Sequence, residues 1–391
     1  MLKQVEGSRG IAEAVALCRP EVICAYPITP QTHIVEALAE MVRAGALAPC
    51  DFINVESEFA ALSVALGACA AGARAYTATA SQGLLYMAEV VYNVAGLGFP
   101  LVMTVGNRAI GAPINIWNDH SDAMALRDAG WIQLFAADNQ EAVDLHVQAF
   151  RLAESLSCPV MVCVDGFLLT HAFERVDVPT QAEVDAFLPR FQPAQLLDPA
   201  APISIGAMVG PEAFTEVRYL AHAQQVAAVD RIASVAREFA AHFGRQAGGL
   251  VRPYCTDDAD TVVVSLGSVS GTINALVDER RQAGEKLGAL DVRAFRPFPA
   301  AAVQDALGSA RRVIVIEKNL APGSGGVLAA DVRAALGGRD VAVHAVIAGL
   351  GGRTITRASL RRLLAQAGAG QVEALTFLDL DVNAIARSAG G

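Results

Sequence analysis

No two of the seven cysteines stand at CxxC spacing: Cys18, Cys24, Cys50, Cys69, Cys158, Cys163 and Cys255 are scattered through the chain. This leaves no sequence framework for an iron–sulfur cluster or a zinc site of its own. Most of these thiols sit in apolar runs, which predicts buried, reduced side chains in a cytoplasmic protein. The seven histidines do not pair at metal-ligand spacing either. Positive charge is in deficit: 30 Lys and Arg stand against 40 Asp and Glu, a formal net charge of −10, which gives no support to nucleic-acid binding. No basic, apolar, small-residue leader follows Met1, so secretion is not expected. A membrane span is lacking as well. The best uncharged stretch, 90–107, holds Asn93, Pro100 and three glycines, and reads as a helix end, a turn and a strand.

What the chain does have is apolar bulk. Its 391 residues are 53% hydrophobic and only 18% charged, enough for two or three domains. A composition this apolar predicts a large core and further apolar surface covered by other subunits.

Strand-like and helix-like segments alternate from the start. Strands are expected at 22–26, 52–55, 75–80, 100–105 and 160–164, with helices at 7–18, 32–44, 58–71, 82–97 and 141–157. That alternation predicts a doubly wound α/β domain with a mostly parallel sheet. Residues 191–211 read as a proline-rich connection, 212–243 as a helix, and "GRQAGG" (244–249) as a hinge. A second, smaller α/β unit follows, with strands in "DTVVVSLGS", "LGALDVRAFRPFP", "RRVIVIEKN" and "VAVHAVIAG". The expected domains are 1–245 and 250–391.

In an open α/β sheet, ligands bind outside the carboxyl ends of the strands. The first such end carries "YPITPQT", with Thr29 between two prolines. The second carries Glu56, Ser57 and Glu58; a third carries Ser81, Gln82 and Gly83; a fourth carries Asn107 and Arg108. Each has an ordinary reading: a rigid turn, a helix cap, a capped start, a surface ion pair. Their joint placement on one sheet edge points to a site for a small anion or carboxylate.

Three long segments give more. "YPITPQT", "NVESEFAALSVALGACAAGARAYTATASQGLLYM" and "GNRAIGAPINIWNDHSDAMALRDAGW" closely resemble the α subunit of the 2-oxoacid:acceptor oxidoreductases, of which pyruvate:ferredoxin oxidoreductase is the best-known member. The resemblance runs through "DGF" (165–167) and the C-terminal domain. It implies a thiamine diphosphate enzyme split over several subunits. This chain would supply a pyrimidine-binding domain and a transketolase-C-terminal-like domain. A β subunit would hold the diphosphate and its Mg, and γ and δ ferredoxin-like subunits, with a flavin subunit where the acceptor is nicotinamide, would carry iron–sulfur clusters and electrons. The sequence agrees in one respect: it has no GDG followed at a distance by Asn, and Asp165-Gly166 is preceded by Val164.

By this resemblance Thr29 supplies the hydroxyl that binds the substrate carboxylate, and Arg108 is its charged partner. Arg can meet a carboxylate with two donors in one plane. Glu58 matches the family carboxylate at N1′ of the aminopyrimidine, with Glu56 as its rival. Tyr26, Pro27, Ser81 and Gln82 are assigned to the cofactor's surroundings, and no metal ligand falls on this chain. The implied reaction is oxidative decarboxylation of a 2-oxo acid, pyruvate first, with coenzyme A and ferredoxin. Phe59 stands where many pyruvate members have His, and Leu168 and Leu169 are unusually apolar. These departures keep an aryl substrate such as phenylglyoxylate, with NAD as final acceptor, as an alternative. A non-catalytic scaffold subunit and a plain transketolase-like transferase are the others. His120, in the polar stretch 114–122, reads as a gate or as part of a hydrogen-bonded loop.

Overall fold

The computed structural model describes residues 2–389. The chain folds as two units. One comprises the residues to Arg252 with Val292–Pro299; the other comprises Pro253–Asp291 with the residues from Ala300 onward.

The first unit opens with β1 (Leu2–Glu6), α1 (Gly7–Leu17), β2 (Val22–Ala25), α2 (Thr32–Arg43), β3 (Asp51–Asn54) and α3 (Glu58–Ala70). It continues with β4 (Ala75–Thr79), α4 (Ser81–Tyr86), α5 (Ala88–Leu97), β5 (Val102–Asn107), α6 (Ser121–Ala125), β6 (Ile132–Phe135) and α7 (Asn139–Leu156). It then runs through β7 (Val160–Asp165), β8 (Phe173–Asp177), α8 (Gln181–Phe187) and α9 (Phe214–Phe243). Six strands line up in the order β6-β7-β5-β4-β2-β3, all parallel. β4, β5 and β7 are buried along their whole length, as strands covered on both faces must be. Hence their near-continuous apolar runs.

Local chemistry sets the helix starts. The Asp138 carboxylate accepts from Glu141 N (2.7 Å) and caps α7; the Ser57 hydroxyl accepts from Ala60 N (3.2 Å) and caps α3. Two polar groups inside the core are paired: Thr104 Oγ1 lies 2.6 Å from both the Tyr76 hydroxyl and His146 Nε2. Burial pulls His146 down to about 4, so this imidazole stays neutral.

The sheet's connectivity creates an opening. From β2 the chain moves outward to β3, then crosses back to β4 on the other side of β2. β2 and β4 are therefore the switch point, where loops leave in opposite directions. They pair only at Val22↔Ala75 and Ile23↔Tyr76, so they separate toward their carboxyl ends.

The second unit begins within β9 (Val251–Tyr254) and runs through β10 (Thr261–Ser265), α10 (Val269–Gln282) and all but the last residue of β11 (Leu287–Val292). After β12 (Ala294–Arg296) come α11 (Ala300–Ala306), β13 (Arg312–Glu317), α12 (Val327–Ala335), β14 (Ala342–Ile347), α13 (Arg357–Gly368), β15 (Leu375–Phe377) and α14 (Val382–Ala389). Its sheet has the order β15-β14-β13-β10-β11-β9. The Glu317 carboxylate accepts from Leu328 N (2.9 Å) and Ala329 N (3.2 Å) at the start of α12, while burial pushes it up to about 7.

The run "LGALDVRAFRPFP", read as one strand of a 250–391 domain, divides at Arg293. β11 stays in the second sheet, whereas β12 joins the first sheet, antiparallel to β6. The cause is visible: buried Arg293 pairs with buried Glu141, and the backbone N–H groups of Arg293 and Ala294 both donate to Leu250 O (3.0 Å). The ribbon of β1 with β8 and the short β6 are further additions. Their sequences, "LKQVE", "FERVD" and "IQLF", are short or charged and carry little apolar periodicity. Among the described residues, no helix is long and apolar enough to cross a membrane.

Candidate active site

The sequence-predicted residues all lie on the carboxyl edge of the first unit's sheet, at or beside the switch point. After β2, residues Tyr26–Gln31 form a tight turn. Gln31 Nε2 donates to Tyr26 O (3.0 Å) and Gln31 N to Ile28 O (3.0 Å). Pro30 then lies over the ends of β5 and β7, so close that a Cβ on Gly166 would fall 2.5 Å from Pro30 Cγ. Tyr26, Pro27 and Thr29 are exposed on this turn.

Arg108 follows β5 and is only 7% exposed. Its Nη1 donates to the carbonyl of Thr29 (2.9 Å) and its Nε to the carbonyl of Asn115 (3.2 Å). Nη2 has no partner, and no carboxylate pairs with the guanidinium, among the described residues. Burial lowers its pKa, opposed by the Asp122 carboxylate nearby. A largely buried guanidinium with one nitrogen left over and no carboxylate bonded to it is a ready receptor for an anion. The structure thus brings Thr29 and Arg108 together, but through the threonine's backbone carbonyl rather than its hydroxyl.

Glu58 begins α3, immediately after the Ser57 cap, and is 9% exposed, whereas Glu56 is exposed. Its carboxylate has no hydrogen-bond partner among the described residues. It packs against α4: a Cβ on Gly83 would lie 2.8 Å from both Glu58 Cγ and Oε1, and 2.7 Å from Thr79 Oγ1. Thr79 Oγ1 is itself buried without a partner. A carboxylate and an orphan hydroxyl therefore face one bare patch of backbone.

Ser81 is fully buried with φ 50°, in the left-handed region. Its hydroxyl contacts Ala109 O (2.5 Å) and the Gln82 side-chain amide. One hydroxyl hydrogen cannot serve two acceptors; with the Gln82 amide turned to donate, both contacts are satisfied. The Ser81 hydroxyl is thereby used inside the protein, and Gln82 reaches the Gly111 turn.

One residue escaped the sequence reading. Asp122 is fully buried and takes four donors: Ser81 N (2.9 Å) and Arg108 N (3.0 Å) on Oδ2, Asn107 Nδ2 (2.8 Å) and Ala123 N (2.8 Å) on Oδ1. It ties the start of α4 to the end of β5 and so positions Arg108. Burial pushes it up to about 6 in spite of these donors. At the head of a short helix it resembles any capping acid, so spacing alone gives no signal for its reach. His120 is part of a buried pair, Nε2 to Asp165 Oδ1 at 2.6 Å, and not a free gate.

A parallel α/β sheet with a guanidinium that no carboxylate bonds and a glutamate without a hydrogen-bond partner at its switch point has the layout of an α/β ligand site that could receive a small anion. Comparison with known proteins gives the family. The family described as pyruvate flavodoxin/ferredoxin oxidoreductase, thiamine diP-binding, matches residues 13–237, and pyruvate:ferredoxin oxidoreductase core domain II matches 259–360. Pyruvate synthase subunit PorA of Methanosarcina barkeri is 46% identical over 92% of this chain and 91% of its own. PorA of Thermotoga maritima is 42% identical, and ketoisovalerate oxidoreductase subunit VorA of Pyrococcus abyssi 38%, each over 92% of both chains. The solved 2-oxoglutarate:ferredoxin oxidoreductase of Magnetococcus marinus shares the fold, with a TM-score of 0.71 at 19% identity over 93% of this chain and 65% of that one. This chain belongs to the pyruvate flavodoxin/ferredoxin oxidoreductase family and is a subunit of a thiamine diphosphate-dependent 2-oxoacid oxidoreductase.

Proposed function

We propose that this chain is the α subunit of a multi-subunit complex that oxidatively decarboxylates pyruvate to acetyl-CoA and carbon dioxide, with electrons passing to ferredoxin through iron–sulfur clusters on partner subunits. The observation that carries the reading is Glu58, buried and unpartnered against Gly83 at the switch point. The Glu58 carboxylate and Gly83, whose missing side chain leaves room for it against α4, suit a heteroaromatic ring with a nitrogen at its edge. They fit the aminopyrimidine half of thiamine diphosphate; the diphosphate and Mg are assigned to a β subunit.

The cofactor, when bound, supplies the carbon nucleophile that adds to the 2-oxo group. The chain's own residues do the rest. Glu58 would hold a proton at N1′ of the aminopyrimidine and so assist the cofactor's own deprotonation at C2. Arg108 keeps Nη2 and the second hydrogen of Nη1 for the substrate carboxylate, in charge-assisted bonds. The carbonyls of Thr29 and Asn115 fix its plane, so little ordering cost falls on each turnover. Tyr26, Ile114, Trp117 and Leu168 on the loops, with Phe59 in the first turn of α3 and Tyr86 at the end of α4, form exposed apolar surface around this edge, the kind of rim that a β subunit would cover.

The relatives favour pyruvate, since PorA subunits at 41–46% identity precede VorA at 38%. A bulkier 2-oxo acid, branched or aryl, with NAD as final acceptor, is the second reading, favoured by Phe59 and Leu168 at the rim. The test is made on the assembled complex. Glu58→Gln is expected to slow exchange of the cofactor's C2 proton with deuterium and to lower turnover by on the order of 10²-fold. Glu56→Gln is expected to do much less. Equal exchange in both variants and wild type removes the pyrimidine site from this stretch. Turnover on pyruvate, 2-oxoglutarate and phenylglyoxylate, compared side by side, decides the substrate.

A further inference from the structure

Three side chains from separate segments meet beside the Tyr26–Gln31 turn. Glu6 ends β1, His33 lies in the first turn of α2, and His171 sits in the connection between β7 and β8. One ligand atom from each lies within 4.8 Å of the other two. Nδ1 of His33 is 2.8 Å from Oε1 of Glu6. Nδ1 of His171 is 2.7 Å from Thr170 Oγ1, which also accepts from Phe167 N (2.9 Å). The positions 6, 33 and 171 have no ligand spacing in sequence, which is why no pattern reveals them.

We propose that Glu6, His33 and His171 bind a divalent transition ion of the zinc type. Two imidazole nitrogens and one carboxylate oxygen are a common protein donor set for zinc, with an open fourth position for water. Hard ions such as Mg²⁺ and Ca²⁺ prefer oxygen throughout and are disfavoured here. Zinc bonds of roughly 2.0–2.2 Å place tetrahedral ligands about 3.3–3.5 Å apart, so the trio must close by up to about 1.5 Å. His33 can supply that movement, since its side chain is 48% exposed. Thr170 is the outer partner: with Nδ1–H of His171 donating to its hydroxyl, the Nε2 lone pair is left for the ion.

The location gives the site a role. His33, His171, Phe167 and Trp117 form a ladder of rings with successive centroid distances of 4.7, 4.7 and 4.6 Å. Trp117 O accepts from Ala109 N (3.0 Å), the residue after Arg108. An ion at one end of the ladder would fasten the β1–α1 junction, the start of α2 and the β7–β8 connection, and steady the Arg108 loop at the other end. The ion is a staple, not a participant in chemistry.

The experiment uses the purified complex, stripped with chelator, returned to Mg²⁺ and thiamine diphosphate, and titrated with zinc chloride by calorimetry. Wild type is expected to take up one more equivalent of zinc per copy of this chain than His33→Ala. Glu6→Gln is expected to weaken that equivalent by more than the roughly 10–100-fold that loss of an outer partner costs. Zinc should raise the melting temperature of wild type and not of His33→Ala. Identical zinc stoichiometry and affinity in wild type and His33→Ala overturn the proposal, as does a wild-type complex with no saturable zinc uptake. None of these readouts depends on which 2-oxo acid is turned over, so they stand apart from the functional reading.

Discussion

Gly83→Ala is the substitution that tests the proposed site most directly, because its consequence can be worked out in distances. The added Cβ would lie 2.8 Å from Glu58 Cγ and Oε1 and 2.7 Å from Thr79 Oγ1. Ordinary contacts of this kind begin at 3.4 Å, so the Glu58 side chain must retreat by at least 0.6 Å (3.4 less 2.8). Glu58 has an open edge and can swing, so the fold should survive. Overpacking costs about 1–3 kcal/mol, offset by about 1 kcal/mol that Ala gains over Gly in a helix. Net stability should therefore change by less than about 2 kcal/mol. Function should not be spared. A misplacement near 1 Å costs on the order of 10²-fold when geometry governs the rate. The assay is C2-proton exchange and thiamine diphosphate occupancy in the assembled complex, beside thermal unfolding. A decline of ~10–100-fold in exchange with a nearly unchanged melting curve is expected. Gly96→Ala in α5, where a Cβ meets nothing within 4 Å, is the silent control. Wild-type exchange and occupancy in Gly83→Ala would refute the placement of the pyrimidine ring against Glu58.

Three further outcomes follow from the same edge. Arg108→Ala should raise KM for the 2-oxo acid by about 10–150-fold, the equivalent of roughly 1.5–3 kcal/mol for a charge-assisted bond, with cofactor occupancy near normal. Thr29→Ala should act more weakly, because the Thr29 contact to Arg108 is made by the backbone carbonyl and survives the change. Asp122, pushed up to about 6, should give a pH signature: as pH falls through 6 it takes up a proton, loses acceptor capacity toward Ser81 N and Arg108 N, and KM rises. The sign for stability is opposite. A carboxylate whose folded-state pKa exceeds the ordinary 3.8 binds more protons folded than unfolded, so its contribution is full below 3.8 and declines as pH rises through 6. Asp122→Asn should raise KM at neutral pH and flatten the profile between 4 and 7; a KM in wild type that ignores this window would remove Asp122 from the positioning of Arg108.

The alternation of β and α segments made the parallel sheet legible, because strands buried on both faces must be apolar throughout. "AYTAT" and "VMVCVD" could hardly be anything else. What stayed hidden was held by polar side chains acting over distance. "LGALDVRAFRPFP" looks continuous, yet the Arg293–Glu141 pair spans 152 residues and turns its second half into another sheet. Asp122 is 41 residues from Ser81, and no periodicity reports such a bond. Glu58 and Arg108 were found as strand-end residues, but which of their atoms are free could not be read from order alone. The resemblance assigns the Thr29 hydroxyl to the substrate; that its carbonyl also holds Arg108 is visible only in the fold.

The two central residues share an unusual condition. Arg108 is buried with an unused nitrogen and no carboxylate bonded to its guanidinium, and Glu58 is buried with no hydrogen bond, among the described residues. An isolated protein gains nothing from either, since a polar group held in place without a protein partner forgoes a hydrogen bond. Nor does it gain from Ile114 at 78% exposure, Trp117 at 54% or Leu168 at 54% on the loops of the same edge. These costs coincide in one place, and a single arrangement relieves them all. A ring nitrogen against Glu58 and a carboxylate against Arg108 would satisfy the charges, and an apolar partner surface over the rim would keep water from competing for either. Exclusion of water also strengthens both interactions, because the same pair of charges attracts more strongly at low dielectric. Division of the proposed site between two chains would then have a direct physical reason: the face that must be dry during chemistry would be the face that a partner closes.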